Sequence, residues 1–576
     1  MDKIKRLAVY LGEYKWYALA TPVLVVLGAV MELLAPALMS KLIDNGVNVG
    51  DIGAIVHYSW LIMGCSLLAL GFSIAGAICG ARAEAGFAKN LRAGLYARIQ
   101  DFAFENIDRF SAASLITRLT TDVSRLQNAL GMLMRMAIRA PAMLVIALTI
   151  ATTMNGKLSL IYLVTMPLVA LGMYVITTSA HPHFKKLFKI YDKLNLVVEE
   201  NVRAIRVVKT FVREKYETAK FKKVSADIYR EFSLAERILA FTSPLMEFAS
   251  YLAILLIAWF GAHLIVVGEF SVGQLMSMIS YTMNILFSLM MISMTMVMLV
   301  MSKAALDRID EVLVEPIKLT SPKNGLQKLA DGSVSFKHVD FSYANDGQRL
   351  ALKDINLTIA AGQTVGILGG TGSGKTSLVS LIPRLYDATA GKVLVGGVDV
   401  RDYDLSCLRR EVAMVLQKNV LFSGTIAQNL RWGNPHATLK ELEQACKQAQ
   451  IHDFIKSLPR GYQTQVEQGG TNFSGGQKQR LCIARAVLAK PKVLILDDST
   501  SAVDTKTESL IRQAWQKQIP GTTIIVIAQR VLSVKDADQI VVMDRGKIVG
   551  VGTHKQLLKN NQIYQEVYQS QIQEQA

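Results

Sequence analysis

The run Gly369-Gly370-Thr371-Gly372-Ser373-Gly374-Lys375-Thr376 has the spacing G-x-x-x-x-G-K-[ST] and lies directly after the apolar stretch Val365-Gly366-Ile367-Leu368. Glycines at these places let backbone N–H groups wrap phosphate oxygens at a helix start, where the helix dipole favours negative charge. Lys375 is expected to reach the β- and γ-phosphates of a nucleotide, and Thr376 to offer its hydroxyl to Mg2+. Asp497, ending the apolar run Val493-Leu494-Ile495-Leu496, is placed to hold the same ion. Between these segments, Ser474-Gly475-Gly476-Gln477 offers backbone donors and a hydroxyl at a second helix start. One ATP rarely needs two such surfaces from one chain. The simplest geometry closes the second surface on a nucleotide held by a neighbouring subunit.

These residues need a scaffold, and the apolar pattern supplies one. Residues 365–368, 493–496 and Thr523-Ile524-Ile525-Val526-Ile527 read as short strands buried on both faces of a parallel sheet, with helical stretches at 377–386 and 476–488 between them. The remainder of the 576 residues is different in kind: 51% hydrophobic residues overall and a mean hydropathy of +0.30 exceed what a soluble protein carries. Stretches of about 20 apolar residues, enough to cross roughly 30 Å of hydrocarbon, recur near 16–38, 55–80, 136–153, 158–179, 242–267 and 275–301. The expected fold is a six-span α-helical transmembrane domain over residues 1–310, a linker over 311–332 marked by Pro316, Pro322, Asn324 and Gly325, and an α/β P-loop nucleotide-binding domain over 333–576.

A net charge of +17 raises the question of nucleic acid, and its distribution answers it in the negative. Lysine and arginine crowd two long loops near 82–127 and 181–237, whereas the short loops hold little positive charge: Asp44 and Asp51, Lys157, and Glu269. The positive-inside rule makes the long loops, both termini and everything beyond residue 302 cytoplasmic, in a multi-pass protein of the cell membrane whose first partner is lipid. The long loops carry helical periodicity, and residues 105–114 and 200–209 are candidate contact points for a cytoplasmic domain or, equally, solvated charged faces. The first 17 residues mix Lys3, Lys5 and Arg6 with Ile4, Leu7 and Val9, the pattern of an amphipathic helix on the inner leaflet. Five cysteines lack metal-ligand spacing and read as buried small hydrophobes.

On these motifs the whole chain resembles a half-transporter of the ATP-binding cassette exporter type. The resemblance implies that Tyr343 stacks on adenine, that Gln417 links Mg2+ and the attacking water to the membrane domain, and that Ser474, Gly475, Gly476 and Gln477 form the signature acting in trans. It further implies that Asp504 communicates across the dimer, that position 529 is the switch at the γ-phosphate, and that two ATPs are sandwiched between two such domains. Three departures stand out. The residue after Asp497 is Asp498 where the family carries glutamate, position 529 is Gln529 where it carries histidine, and Val466-Glu467-Gln468-Gly469-Gly470 replaces the commoner Val-Gly-Glu-Arg-Gly. A carboxylate drawn back by over an ångström can cost about 10²-fold in rate, and an amide cannot carry the positive charge open to imidazole. A site kept for ATP binding and relieved of catalysis is the expectation, with a second, non-identical half-transporter supplying the complete catalytic set.

Cargo is read from the spans. The last span carries Met276, Met278, Met283, Met290, Met291, Met294, Met296, Met298 and Met301, polarisable side chains suited either to varied apolar ligands or to ordinary helix packing; Met283, Met290 and Met294 are the candidate contacts. Glu32, inside the first span and shortly before Pro36, is the other. An acid there favours cationic amphiphiles, and Arg139 is the alternative, a neutralising partner. The expected function is ATP-driven export of amphipathic compounds, multidrug efflux. A lipid or lipid-linked precursor flippase and a nucleotide-gated sensor or regulatory subunit are the alternatives.

Overall fold

The computed structural model describes residues 2–343, 349–498, 505–518 and 521–573. The chain divides into two compact units, one formed by Met1–Gln100 with Ala112–Glu315 and the other by Asp101–Ser111 with Pro316–Ala576.

The first unit is helical. Among the described residues six helical segments are long and apolar enough to cross a membrane: Lys3–Val47, Ile52–Gln100, Ala112–Met154, Gly156–Arg203, Glu214–Val266 and Val272–Val314. Each takes in, to within a residue, one of the stretches read from the sequence. The helix Ile52–Gln100 has 49 residues and so runs ~74 Å, far more than ~30 Å of hydrocarbon requires. The helix Tyr162–Arg203 behaves likewise with 42 residues. The long basic loops are therefore helices that continue beyond the bilayer, as expected.

Polar contacts pin the ends of this unit. Ser271 and Gln274 form a capping box at the start of the sixth span, and Asp44 of the first span accepts from Ser271 Oγ at 2.5 Å and from the Gly273 N–H at 2.9 Å. Midway, Tyr281 and Ser277 donate to the backbone carbonyls of Leu33 and Pro36, so hydroxyls of the sixth span satisfy first-span backbone around a proline. At the other end Arg308 grips the fully buried Asp122, Arg118 pairs with Glu311, and Arg6 with Asp310. The N-terminal helix Asp2–Ala8 thus spends Lys3 and Arg6 on Asp307 and Asp310 and buries Leu7.

The second unit carries β1 (Val334–Phe341), β2 (Leu352–Ile359), β3 (Thr364–Gly369), β4 (Ala390–Val395), β5 (Val398–Asp399), β6 (Val412–Val415), β7 (Gly424–Thr425), β8 (Gln465–Val466), β9 (Val493–Asp497), β10 (Thr523–Ile527), β11 (Gln539–Asp544) and β12 (Lys547–Gly552). An antiparallel sheet has the order β2-β1-β4-β5, and a six-stranded sheet the order β12-β11-β3-β10-β9-β6, parallel except at β12. One core lies between the sheets and joins Phe336 and Ile355 to Ile367, Ile495 and Ile525. The other face of the larger sheet presents Leu494, Leu496 and Val526 to Leu442, Cys446, Ile483 and Val487 from helices. Alternate residues of β9 thus enter different cores, and all of β9 and β10 is buried. That is why these strands read as unbroken apolar runs.

Packing divides the chain differently from a linear cut at residues 310 and 332. The helix Phe104–Phe110 belongs to the second unit, where Glu105 pairs with Lys318 at 2.8 Å, Asn106 Nδ2 donates to the Pro316 carbonyl at 3.1 Å, and Tyr386 Oη donates to Asp108 at 2.7 Å. The Phe104 ring meets Tyr386 edge-on at 6.0 Å. The second candidate contact segment stays with the first unit: it lies across a helix break at Ala204 and exposes Val202 and Val207.

Candidate functional site: a phosphate loop and its flanking strands

Four neighbouring parallel strands, β3, β10, β9 and β6, deliver the motif residues from their C-terminal ends, where ligands bind in open α/β sheets. β3 leads into the phosphate loop, β9 ends in Asp497 and Asp498, Gln529 follows β10 by two residues, and Gln417 follows β6 by two residues. The helix Lys375–Ser380 starts where the loop closes, its N-cap Gly374 at φ 97°. A side chain on Gly374 would stand 2.9 Å from the Ala351 carbonyl as well as adopt the left-handed backbone region. Glycine is required at this position on both counts.

Within the loop, Lys375 Nζ donates to the carbonyls of Gly369 and Gly370, both at 2.8 Å. Burial pushes its pKa down, opposed by the charges of Asp497 and Asp498. Thr376 Oγ1 donates to Asp497 Oδ1 at 3.0 Å. Burial holds Asp497 above the usual carboxylate range, and neighbouring Asp498 pushes the same way against Thr376 and Lys375. Ser373 Oγ is buried with no hydrogen-bond partner among the described residues. The hydroxyl of Thr376 and carboxylate of Asp497 are a hard oxygen pair of the kind Mg2+ takes, and the orphaned Ser373 hydroxyl matches a phosphate oxygen; both groups fit.

The two substituted positions meet each other. Gln529 Nε2 donates to Asp498 Oδ2 at 3.1 Å. Asp498 sits at φ 50°, a region that aspartate tolerates better than most residues. Tyr343 donates to or accepts from Ser377 Oγ at 2.9 Å, and half of its surface is exposed, leaving room for a planar base. Gln417 is exposed beside the Asp497 strand. In the Ser474-Gly475-Gly476-Gln477 segment, Ser474 Oγ accepts from the Gln477 N–H and Gln477 Oε1 accepts from the Ser474 N–H, a capping box opening the helix Gly475–Leu488. Its polar groups bond to each other at a helix start, while the phosphate loop follows the end of β3. Asp504 lies outside the described residues.

Sequence reasoning passed over Tyr386. Its ring stands 5.2 Å from that of Tyr343 and 5.6 Å from Phe341, both tilted or edge-on, and burial with the Asp108 carboxylate drives its hydroxyl pKa up strongly. Only the apolar spacing after the phosphate loop hinted that it packs inward. In the first unit, Glu32 is paired with Arg139 at 2.5 Å, which selects the neutralising partner over a lone acid. Of the methionine candidates, Met283 and Met294 are exposed, Met290 is half-buried, and Met278 is wholly buried in helix packing.

Comparison with known proteins agrees with this geometry. Residues 19–290 match the family described as ABC transporter transmembrane region, and residues 352–501 match ABC transporter. The chain is 34% identical over 563 residues to YfiB of Bacillus subtilis (strain 168), an uncharacterised ABC transporter ATP-binding protein, covering 98% of each. It is 33% identical over 477 residues, 83% of this chain and 75% of the relative, to a protein of Mycobacterium bovis named fatty acid ABC transporter ATP-binding/permease protein. A solved bacterial Atm1-family ABC exporter with ATP bound superposes with a TM-score of 0.80 at 25% identity, over 97% of this chain and 98% of that one. The chain belongs to the ABC transporter family: it is a multi-pass membrane half-transporter with the Atm1-type exporter fold and a cytoplasmic ATP-binding domain.

Proposed function

We propose that this chain is one subunit of an ATP-driven exporter of amphipathic compounds, that its own phosphate loop forms a slow, mainly ATP-binding site, and that its signature segment completes the hydrolytic site of a non-identical partner. The observation that carries the reading is the hydrogen bond from Gln529 Nε2 to Asp498 Oδ2. The two positions that would polarise water and sense the γ-phosphate instead bond to each other, and the carboxylate oxygen that accepts from the amide is not free to orient a water molecule. Intact phosphate-loop donors and an intact capping box at Ser474 support a chain that binds nucleotide and serves its neighbour.

In this reading Thr376 and Asp497, assisted by Gln417, would hold Mg2+, which when bound neutralises charge on the β- and γ-phosphates. Lys375 and the loop N–H groups grip the phosphates, Ser373 Oγ finds its missing partner, and Tyr343 stacks on the base. ATP binding holds the cytoplasmic domains together, and turnover at the partner's site resets them. Lipid-like cargo gains weight from the fatty acid transporter among the relatives. The test is ATPase in the assembly purified from native membranes. Asp498→Asn should change total turnover by no more than about twofold, whereas neutralising the partner's catalytic carboxylate should nearly abolish it. Full-rate hydrolysis by a homodimer of this chain, stopped by Asp498→Asn, would overturn the reading.

A further inference from the structure

Glu32 lies ten residues, about 15 Å, before Leu42, the end of the helix Lys15–Leu42, inside the first segment long and apolar enough to cross a membrane. Arg139 Nη2 reaches Glu32 Oε2 at 2.5 Å and Arg139 Nε reaches Met143 Sδ at 3.4 Å, so the guanidinium stands between the first and third spans. One turn away on the third span Arg135 pairs with Glu84 at 2.8 Å, Glu84 being 13% exposed. The outer pair is different: its side chains are 39% exposed for Arg139 and 47% for Glu32. An ion pair that open in the single chain cannot face lipid tails without a large cost, so this face borders water, a polar ligand or the partner subunit.

The two members are not equivalent as ligand receptors. A carboxylate can take up a proton and become neutral; a guanidinium cannot lose one. A cationic ligand that captured Glu32 would strand a permanent charge on Arg139 inside the membrane span. A ligand that entered as its acid and passed its proton to Glu32 on capturing Arg139 would keep the site neutral: one guanidinium, one carboxylate and one acid before, one guanidinium, one ligand anion and one carboxylic acid after. Among the described residues Arg139 gives two of its five N–H groups, to Glu32 and Met143, leaving donors for a second oxygen anion.

We infer that Arg139 is the anchor for the anionic head of an amphipathic ligand, a carboxylate or phosphate carried on an apolar tail, and that Glu32 is the resident counter-ion which that head displaces. This deepens the export reading, on which the ligand's status as cargo rests, and it reverses the cationic preference that Glu32 suggests when seen alone.

The test is equilibrium binding without nucleotide to the native assembly in nanodiscs of zwitterionic lipid, with a fluorescent long-chain fatty acid, a fluorescent phosphatidic acid and tetraphenylphosphonium as probes. Glu32→Gln should tighten binding of an anionic probe by about tenfold by removing the competing charge, and Arg139→Gln should weaken it by about tenfold or more. A merely structural pair would not yield tighter binding on losing one member. The double variant Glu32→Gln/Arg139→Gln leaves no unpaired charge and should bind no better than Arg139→Gln. A response to the fatty acid alone points to free carboxylates, a response to phosphatidic acid alone to lipid headgroups, and a response to both to either source. The inference is overturned if anionic binding is unchanged or weaker in Glu32→Gln, if it survives in the double variant, or if no anionic probe binds. ATP-driven uptake of tetraphenylphosphonium in that last case would leave the export reading standing.

Discussion

Restoring the family residues at both altered positions, Asp498→Glu with Gln529→His, should convert the slow site into a working one. Glutamate carries its carboxylate one C–C bond, ~1.5 Å, farther from the backbone. Misplacement on that scale costs about 10²-fold, which corresponds to ~2.7 kcal/mol in the barrier. Lengthening the acid alone must compete with the amide of Gln529, which donates to Asp498 Oδ2 at 3.1 Å. Hydrogen bonds to charged groups contribute about 1.5–3 kcal/mol, so Asp498→Glu by itself should recover only part of the rate. Histidine removes the competing amide and supplies a group that can carry positive charge toward the γ-phosphate. The assay is single-turnover release of γ-phosphate from the assembly, with the partner's catalytic carboxylate neutralised so that this site alone reports. A rise of about 10²-fold in the double variant and a smaller one in Asp498→Glu is expected. A wild-type site already as fast as the double variant, or a double variant within twofold of wild type, would refute the reasoning.

Other expectations follow from the same contacts. Lys375→Ala should lower ATP affinity at this chain's loop by about 10- to 100-fold, the worth of a charged hydrogen bond, read by photolabelling this chain with an azido-ATP. Because burial raises the Asp497 pKa, protonation is easier in the folded, metal-free protein than in the unfolded chain. That contribution to stability is full at low pH and lost as pH rises through the raised value, and Mg2+ affinity should follow the opposite course, falling as acid protonates the ligand. Isothermal titration of Mg2+ with ATP across pH checks it. Arg308→Ala leaves the fully buried Asp122 carboxylate without its partner, at a cost of about 3 kcal/mol, and thermal unfolding of the detergent-purified protein should show it; adding Asp122→Asn should restore part of the loss. Tyr386→Phe keeps the ring against Phe104 and Tyr343 but removes the bond to Asp108. It should lower the melting temperature less than Tyr386→Leu, measured by the same method.

Much of this was legible because the signals are local. Eight consecutive residues define the phosphate loop, and the spans announce themselves by ~20 apolar residues each. The strands Val493–Asp497 and Thr523–Ile527 were readable as doubly buried because both faces carry apolar side chains. What escaped was non-local. Arg6 meets Asp310 and Arg118 meets Glu311 across long stretches of chain, and no periodicity marks such pairs. The helix Phe104–Phe110 looks like part of a charged cytoplasmic loop, and only its packing on Tyr386 and Lys318 assigns it to the sheet-containing unit. The substitutions at 498 and 529 were each visible, but their mutual hydrogen bond depends on β9 and β10 lying side by side. Residue type also misled where a partner decided the chemistry: Glu32 alone reads as an acid in lipid, and with Arg139 it is half of a neutral pair.

The central claim is that this chain's loop holds ATP without splitting it while its signature serves a neighbour. The most direct test traps the assembly during turnover with an azido-ATP carrying label on the γ-phosphate, cross-links it by light, and separates the subunits. Label retained on this chain and lost from its partner is the expected result. Loss of γ-label from both chains at equal rates, or its loss from this chain within one turnover, would contradict it.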